Sequence, residues 1–161
     1  MVLDDLLRRE CVSAGRVFAD KRAVLIALAH LAKQCPLLDP FSEETVLQSF
    51  EEREALGSTG FNQGLALPHG RLPGLSGFVI GLMSVPDGVP FKSLDSRKSR
   101  LFVFVVSPKD HEETHLKVLK AVAETVAAKS ALSALSAETD DQRLYTEFLR
   151  YAHGTPAIPA Q

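Results

Sequence analysis

The chain has 161 residues, 45% of them hydrophobic and 24% charged, and a formal net charge of −2. That length suits one domain able to bury roughly two-thirds of its unfolded surface, and the charge balance leaves no electrostatic footprint for nucleic acid or an anionic membrane. No run approaches the roughly 18 apolar residues of a membrane span, and Met1-Val2-Leu3-Asp4-Asp5 lacks the basic-then-apolar order of a secretory signal. The expectation is a protein not embedded in a membrane and located in the cytoplasm. Cys11 and Cys35 have no C-x-x-C spacing, so they read as reduced thiols rather than zinc ligands.

In chain order, Leu3, Leu6 and Leu7 suggest a short packed segment, and Cys11 to Phe18 an extended one. Asp20 is a candidate N-cap for a helix whose Val24, Leu25, Leu28, Leu31 and Ala32 share a face. His30 reads as a surface histidine of that helix. Pro36 and Pro40 punctuate a turn. Ser42 then caps a second helix, with Glu43 and Glu44 in its first turn, where the dipole favours negative charge. Val46, Leu47 and Phe50 form its inner stripe, Arg53 and Glu54 its last turn, and Gly57 its stop.

The stretch from Gly57 to Gly70 follows. Gly57, Gly60 and Gly64 alternate with Ser58, Thr59, Asn62 and Gln63, a loop composition suited to surrounding an anion. Leu65-Ala66-Leu67 reads as a buried strand that must end at Pro68 or lie at a sheet edge, because proline donates no ladder hydrogen bond. Gly70 is expected to turn the chain at once, leaving His69 at the rim of a sheet.

Phe78 to Met83 reads as a strand stopped by the turn signal Pro86-Asp87-Gly88. Val89 to Asp95 is a loop or a short strand, and Arg97-Lys98-Ser99-Arg100 is basic. Leu101 to Val106 is apolar at every position, which predicts a central strand covered on both faces, ending at Ser107-Pro108. Asp110 with Glu113 has the capping-box spacing for a long helix. On it His115, Leu119, Val122 and Val126 share the sheet-facing stripe, while His111 stands exposed at the entrance. A short helix around Leu132 and Leu135 follows. Thr139 to Gln142 then caps a last helix that packs through Leu144, Tyr145, Phe148 and Leu149. Residues 154 to 161 read as a frayed tail. Strands interrupted by helices around an all-apolar middle strand imply an α/β fold with its sheet covered on both sides.

The run from Glu54 through Phe61 to Leu65-Ala66-Leu67-Pro68-His69-Gly70 resembles the active-site signature of the fructose/mannitol/nitrogen-type enzyme IIA domains of the bacterial phosphotransferase system, and a weaker likeness extends from about Leu7 to Leu149. Asn62 departs from it, standing where the family pattern has Gly or Ala. The resemblance implies one EIIA type-2 domain over residues 1 to 161, with a core of about 7 to 150, and a mixed β-sheet sandwiched by helices. It implies that His69 carries a phosphoryl group on Nε2 and that His115 orients His69 or donates to the phosphoryl oxygens. Arg53, Ser58 and Thr59 would stabilise the transferring group. Chemically an imidazole suits this task, being largely unprotonated near neutral pH, nucleophilic without a separate base and a good leaving group. No Mg²⁺ ligand cluster is visible, and none is needed when the donor is itself a phosphohistidine, so no metal or cofactor is expected.

Three functions are compatible with the resemblance. The first is a nitrogen-regulatory enzyme IIA phosphorylated by an HPr-like carrier, which regulates a partner protein by its phosphorylation state. The second is a sugar-transport IIA that passes phosphate to a cysteine of a IIB domain. The third is a binding module of the same fold that is never phosphorylated, against which the presence of both His69 and His115 weighs.

Overall fold

A computed structural model describes residues 1–153 and 157–158. It begins with α1 (Leu3–Leu6) and β1 (Leu7–Ser13), followed by α2 (Lys21–Ala32) and α3 (Glu43–Ala55). After them come β2 (Leu65–Ala66), β3 (His69–Leu72), β4 (Val79–Val89) and β5 (Ser99–Pro108). Three helices close the order: α4 (Glu112–Thr125), α5 (Lys129–Ala137) and α6 (Asp141–Ala152).

The five strands form one mixed sheet in the order β1-β4-β5-β2, with β3 also on β5. β4 and β5 are antiparallel, and the other pairings are parallel. β5 is central, as its composition predicts, and Leu101 to Val106 are fully buried. Its side chains alternate between two half-cores. Leu101, Val103 and Val105 meet Val118 and Val122 of α4, Leu135 of α5 and Phe148 of α6. Phe102, Phe104 and Val106 meet Leu28 of α2 and Phe50 of α3. Burying each such side chain contributes about 1.5–3 kcal/mol, so an apolar β5 is what lets one sheet carry helices on both faces.

Local capping follows the sequence at two helices. Asp20 accepts from the Ala23 N–H at 2.9 Å and Ser42 from the Thr45 N–H at 3.1 Å. At α4 it does not: the N-cap is His111, with no side-chain cap bond, so the Asp110–Glu113 capping box is not formed. At α6 the cap is Asp140, accepting from the Arg143 N–H at 2.8 Å, rather than Thr139.

Three further expectations are corrected. The Pro86-Asp87-Gly88 signal does not end β4; the register shifts between Ser84 and Val89, and the strand carries on across the irregularity to Val89. Nor does Gly70 turn the chain. Leu65 pairs with Leu101 and His69 with Val105, one register on both sides of Pro68. Pro68 therefore sits in an edge strand, where its missing N–H costs no ladder bond. Finally, Ile158 of the expected frayed tail is buried, and its N–H donates to the Met1 carbonyl at 2.7 Å. Residues 154–156 and 159–161 lie outside the described residues. No helix among the described residues is long and apolar enough to cross a membrane.

Candidate functional site

His69 opens β3 at the sheet edge, half-buried, in a cleft of about 400 Å³. One wall is the C-terminal half of α3, with Ser49, Glu52, Arg53 and Leu56. The other is the start of α4, with Lys109, Glu112, His115 and Leu116. Helices from opposite faces of the sheet thus converge on one edge-strand residue.

The imidazole of His69 is held at both nitrogens. Nδ1 lies 2.8 Å from the Leu67 carbonyl, two residues earlier on the extended chain. Nε2 lies 3.1 Å from Nε of Arg53, which can only donate. Together these assign the proton to Nδ1 and the lone pair to Nε2. Burial pushes the His69 pKa below its ordinary value; the Leu67 hydrogen bond opposes this, and the Arg53 charge adds to it. The ring therefore stays neutral, with a nucleophilic Nε2, at and somewhat below neutral pH.

Arg53 is itself pinned, its Nη1 donating to the Gly57 carbonyl at 2.8 Å. The chain end of α3 thus fixes the guanidinium that faces His69. His115 lies beside them, 4% exposed, its ring centroid 5.2 Å from that of His69. Its Nδ1 is 2.6 Å from the Ser107 hydroxyl at the end of β5. Burial, then the neighbouring His69 and Arg71, lower its pKa to about 4. When Ser107 donates to Nδ1, Nε2 of His115 carries the proton and can donate to an oxygen in the cleft. Arg71, in an ion pair of 3.7 Å with Glu112, and Lys109 add positive charge to the same wall.

Ser58 and Thr59 are not brought to this cleft. Ser58 Oγ donates to the Phe91 carbonyl at 2.7 Å and accepts from the Gly60 N–H at 3.1 Å. Thr59 is buried, and both its N–H, at 3.1 Å, and its hydroxyl donate to the Glu54 carboxylate. Glu54 also pairs with Lys21 at 2.7 Å, and Lys21 lies 4.4 Å from the Phe91 ring centroid. These hydroxyls shape the loop that follows α3. The positive φ values of that loop fall on Gly57 (φ 141°), Gln63 (φ 61°) and Gly64 (φ 88°) rather than on Asn62.

Five contributors escape the sequence reading: Arg71, Lys109, Ser107, Leu56 and Leu116. Arg71 and Lys109 lie close to the two signals, two residues after His69 and just before the helix of His115, but nothing in their spacing says that they meet. Leu56 and Leu116, 85% and 60% exposed, supply the apolar rim. Leu65 and Leu72, close to His69 in sequence, are 7% and 3% exposed and buried in the core, and Phe61 does not line the cleft. Among the described residues no group of three or more His, Cys, Asp and Glu side chains is gathered to hold a metal ion.

Residues 5–150 match the model of the phosphoenolpyruvate-dependent sugar phosphotransferase system EIIA 2 family. The chain belongs to this family. The nitrogen regulatory protein of Escherichia coli K12 is 30% identical over 155 residues, spanning 96% of this chain and 93% of that protein. The crystal structure of nitrogen regulatory protein IIA-Ntr from Neisseria meningitidis superposes with a TM-score of 0.82 at 23% identity, covering 91% of this chain and 98% of that one. The E. coli enzyme IIA-mannitol, solved in complex with phosphorylated enzyme IIB-mannitol, gives 0.73 at 17%, covering 90% and 99%. The mixed sheet flanked by helices is the fold of these EIIA proteins, and the chain is a phosphotransferase-system component of that type.

Proposed function

We propose that this chain is a nitrogen-regulatory enzyme IIA that takes a phosphoryl group onto Nε2 of His69 from a phosphorylated HPr-like carrier in the cytoplasm and controls a partner protein by its phosphorylation state. The observation that carries this reading is the tautomer of His69: Nδ1 is committed to the Leu67 carbonyl, and Nε2 is left with its lone pair in an open, cationic cleft. The extended likeness to the E. coli nitrogen regulatory protein supports the regulatory class.

In the transfer, the Nε2 lone pair forms a bond to phosphorus as the N–P bond of the carrier's phosphohistidine breaks, and the electron pair returns to the leaving imidazole. Arg53 gives up its hydrogen bond to Nε2 as that atom is phosphorylated, and its guanidinium meets the incoming oxygens. Arg53 with Arg71 and Lys109 offsets charge spread over the equatorial oxygens. His115 donates from Nε2 to one of those oxygens.

Incubation with a phosphorylated HPr-type carrier tests this. The expected result is an acid-labile gain of one phosphoryl group, absent in His69→Ala. His115→Ala should accept phosphate and pass it on poorly. Normal labelling of His69→Ala would overturn the assignment. Efficient onward transfer to the cysteine of a IIB domain would instead select the sugar-transport reading.

A further inference from the structure

A second cleft, of about 380 Å³, lies between one face of α5 and the start of β5 and shares no lining residue with the cleft around His69. Arg97, Arg100, Lys129, Ser133 and Gln63 line it, and among the described residues no acidic side chain does. In a chain whose net charge is −2, this is a local concentration of cations in a concave place.

Arg100 is the built part of it. Its Nε donates to the Pro86 carbonyl at 2.7 Å, which fixes the plane of the guanidinium. Its stem runs past Gly64 and Gly88: a Cβ at these positions would stand 3.6 and 3.3 Å from its Cγ. Both glycines have positive φ, so the backbone there already favours residues without a side chain. The amino groups of Arg100 are thus presented on a restrained stem, at little further entropic cost on binding.

The neighbouring segments are also tied in place. Asp95 accepts from the Gln63 N–H at 2.9 Å and the Arg97 N–H at 3.1 Å, which joins the turn before β2 to the turn before β5. Its carboxylate is held below the usual range by these bonds. Asp95 lies 4.0 Å from Nε of Arg97, so Arg97, Arg100, Lys129 and Asp95 together leave a surplus of positive charge. Ser133, one turn along α5 from Lys129, adds a hydroxyl to the same wall.

We propose that this cleft binds a small phosphorylated metabolite, a phosphomonoester or diphosphate carrying at least two negative charges. Arg100 would make the paired contacts, with Arg97 and Lys129 as flanking charges and Ser133 and Gln63 as neutral donors. The concavity between three elements favours a compact ligand over an acidic protein surface. This site is independent of the phosphorylation of His69.

The test is a titration of the full chain with sodium pyrophosphate, and separately with AMP, followed by amide and arginine side-chain NMR at ionic strength held constant with chloride. Saturable shifts at Gln63, Arg97, Arg100, Lys129 and Ser133 are expected, with a dissociation constant at or below about a millimolar. Arg100→Gln combined with Lys129→Gln should weaken binding at least about tenfold, whereas Lys117→Gln combined with Lys120→Gln, an equal loss of charge on α4, should not. Shifts confined to His69, Arg53 and Arg71, shifts reproduced by chloride alone, or equal binding by the double variant would overturn the proposal. So would a short oligoglutamate peptide that perturbs these residues when pyrophosphate does not.

Discussion

His115 is a base kept in its neutral form by its surroundings, and this makes its protonation a stability variable. The imidazole is sealed between α4 and β5, with His69 and Arg71 beside it, and its pKa falls from 6.5 to about 4. In the unfolded chain it titrates near its ordinary value. Above that value neither state holds the proton and the shift has no effect on stability. As pH drops from 6.5 towards 4, the unfolded state takes up the proton and the folded state does not, so stability is lost across this window and levels off below it. At 1.36 kcal/mol per pH unit, the full loss is about 3 kcal/mol. His115→Gln should flatten this part of the profile in urea unfolding measured from pH 4 to 7; an unchanged slope would mean that His115 is not the group responsible. The same reasoning applied to His69 predicts that the rate of phosphoryl acceptance stays level to a pH below the ordinary imidazole range, because its pKa too is lowered, chiefly by burial.

At the scale of elements, the distance between α3 and β3 sets the distance between Arg53 and His69. Gly70 holds them close: a Cβ there would stand 2.8 Å from the Cβ of Ser49 and collide with its hydroxyl. Gly70→Ala should therefore push the helix off the strand, at a cost of about 1–3 kcal/mol, and slow phosphorylation by moving the Arg53 guanidinium away from where the phosphoryl oxygens arrive. Ser49→Gly should relieve the clash when combined with it, so the two changes should be far from additive in a double-mutant cycle. Additive losses would place the strain elsewhere. This packing shows what the sequence could and could not reveal. The apolar run of Leu101 to Val106 identifies the central strand because burial on both faces leaves no polar position. The helices are legible from their stripes and from the Asp20 and Ser42 caps. Gly70 suggests a turn, since from the sequence a glycine required by a close approach looks like one required by a bend. Pro86 to Gly88 misleads in the same way, because an irregularity within a strand uses the residues of a turn. Ser58 and Thr59 have the chemistry to bind an anion, but Glu54 and the Phe91 carbonyl engage their hydroxyls, and both partners become apparent only when the chain is folded.

The whole molecule places one cleft where its two helical layers meet at a sheet edge. α3 belongs to the layer packed on Phe102 and Phe104, α4 to the layer packed on Val103 and Val105. The α3 side contributes Arg53 and the turn before α4 contributes Lys109, and each layer adds one exposed leucine, Leu56 from the end of α3 and Leu116 from α4. An isolated exposed leucine needs no explanation, but two on opposite lips of the same cleft offer apolar contact that would suit a protein carrying a phosphohistidine to His69, as the proposed function requires. On the function proposed above, most of the contact energy should come from this rim, and the charges of Arg53, Arg71 and Lys109 should act mainly on the transferring group. Leu56→Ser with Leu116→Ser removes two side chains, each worth about 0.7–1.4 kcal/mol when about half covered by a partner. The expected result is a fall of about tenfold to a hundredfold in kcat/KM for the phosphorylated carrier, with the melting temperature unchanged because neither leucine belongs to a half-core. Slow chemical labelling of His69 by phosphoramidate should be unaffected, since that donor needs no docking surface. A double variant labelled by the carrier at the wild-type rate would mean that the carrier approaches His69 from another side.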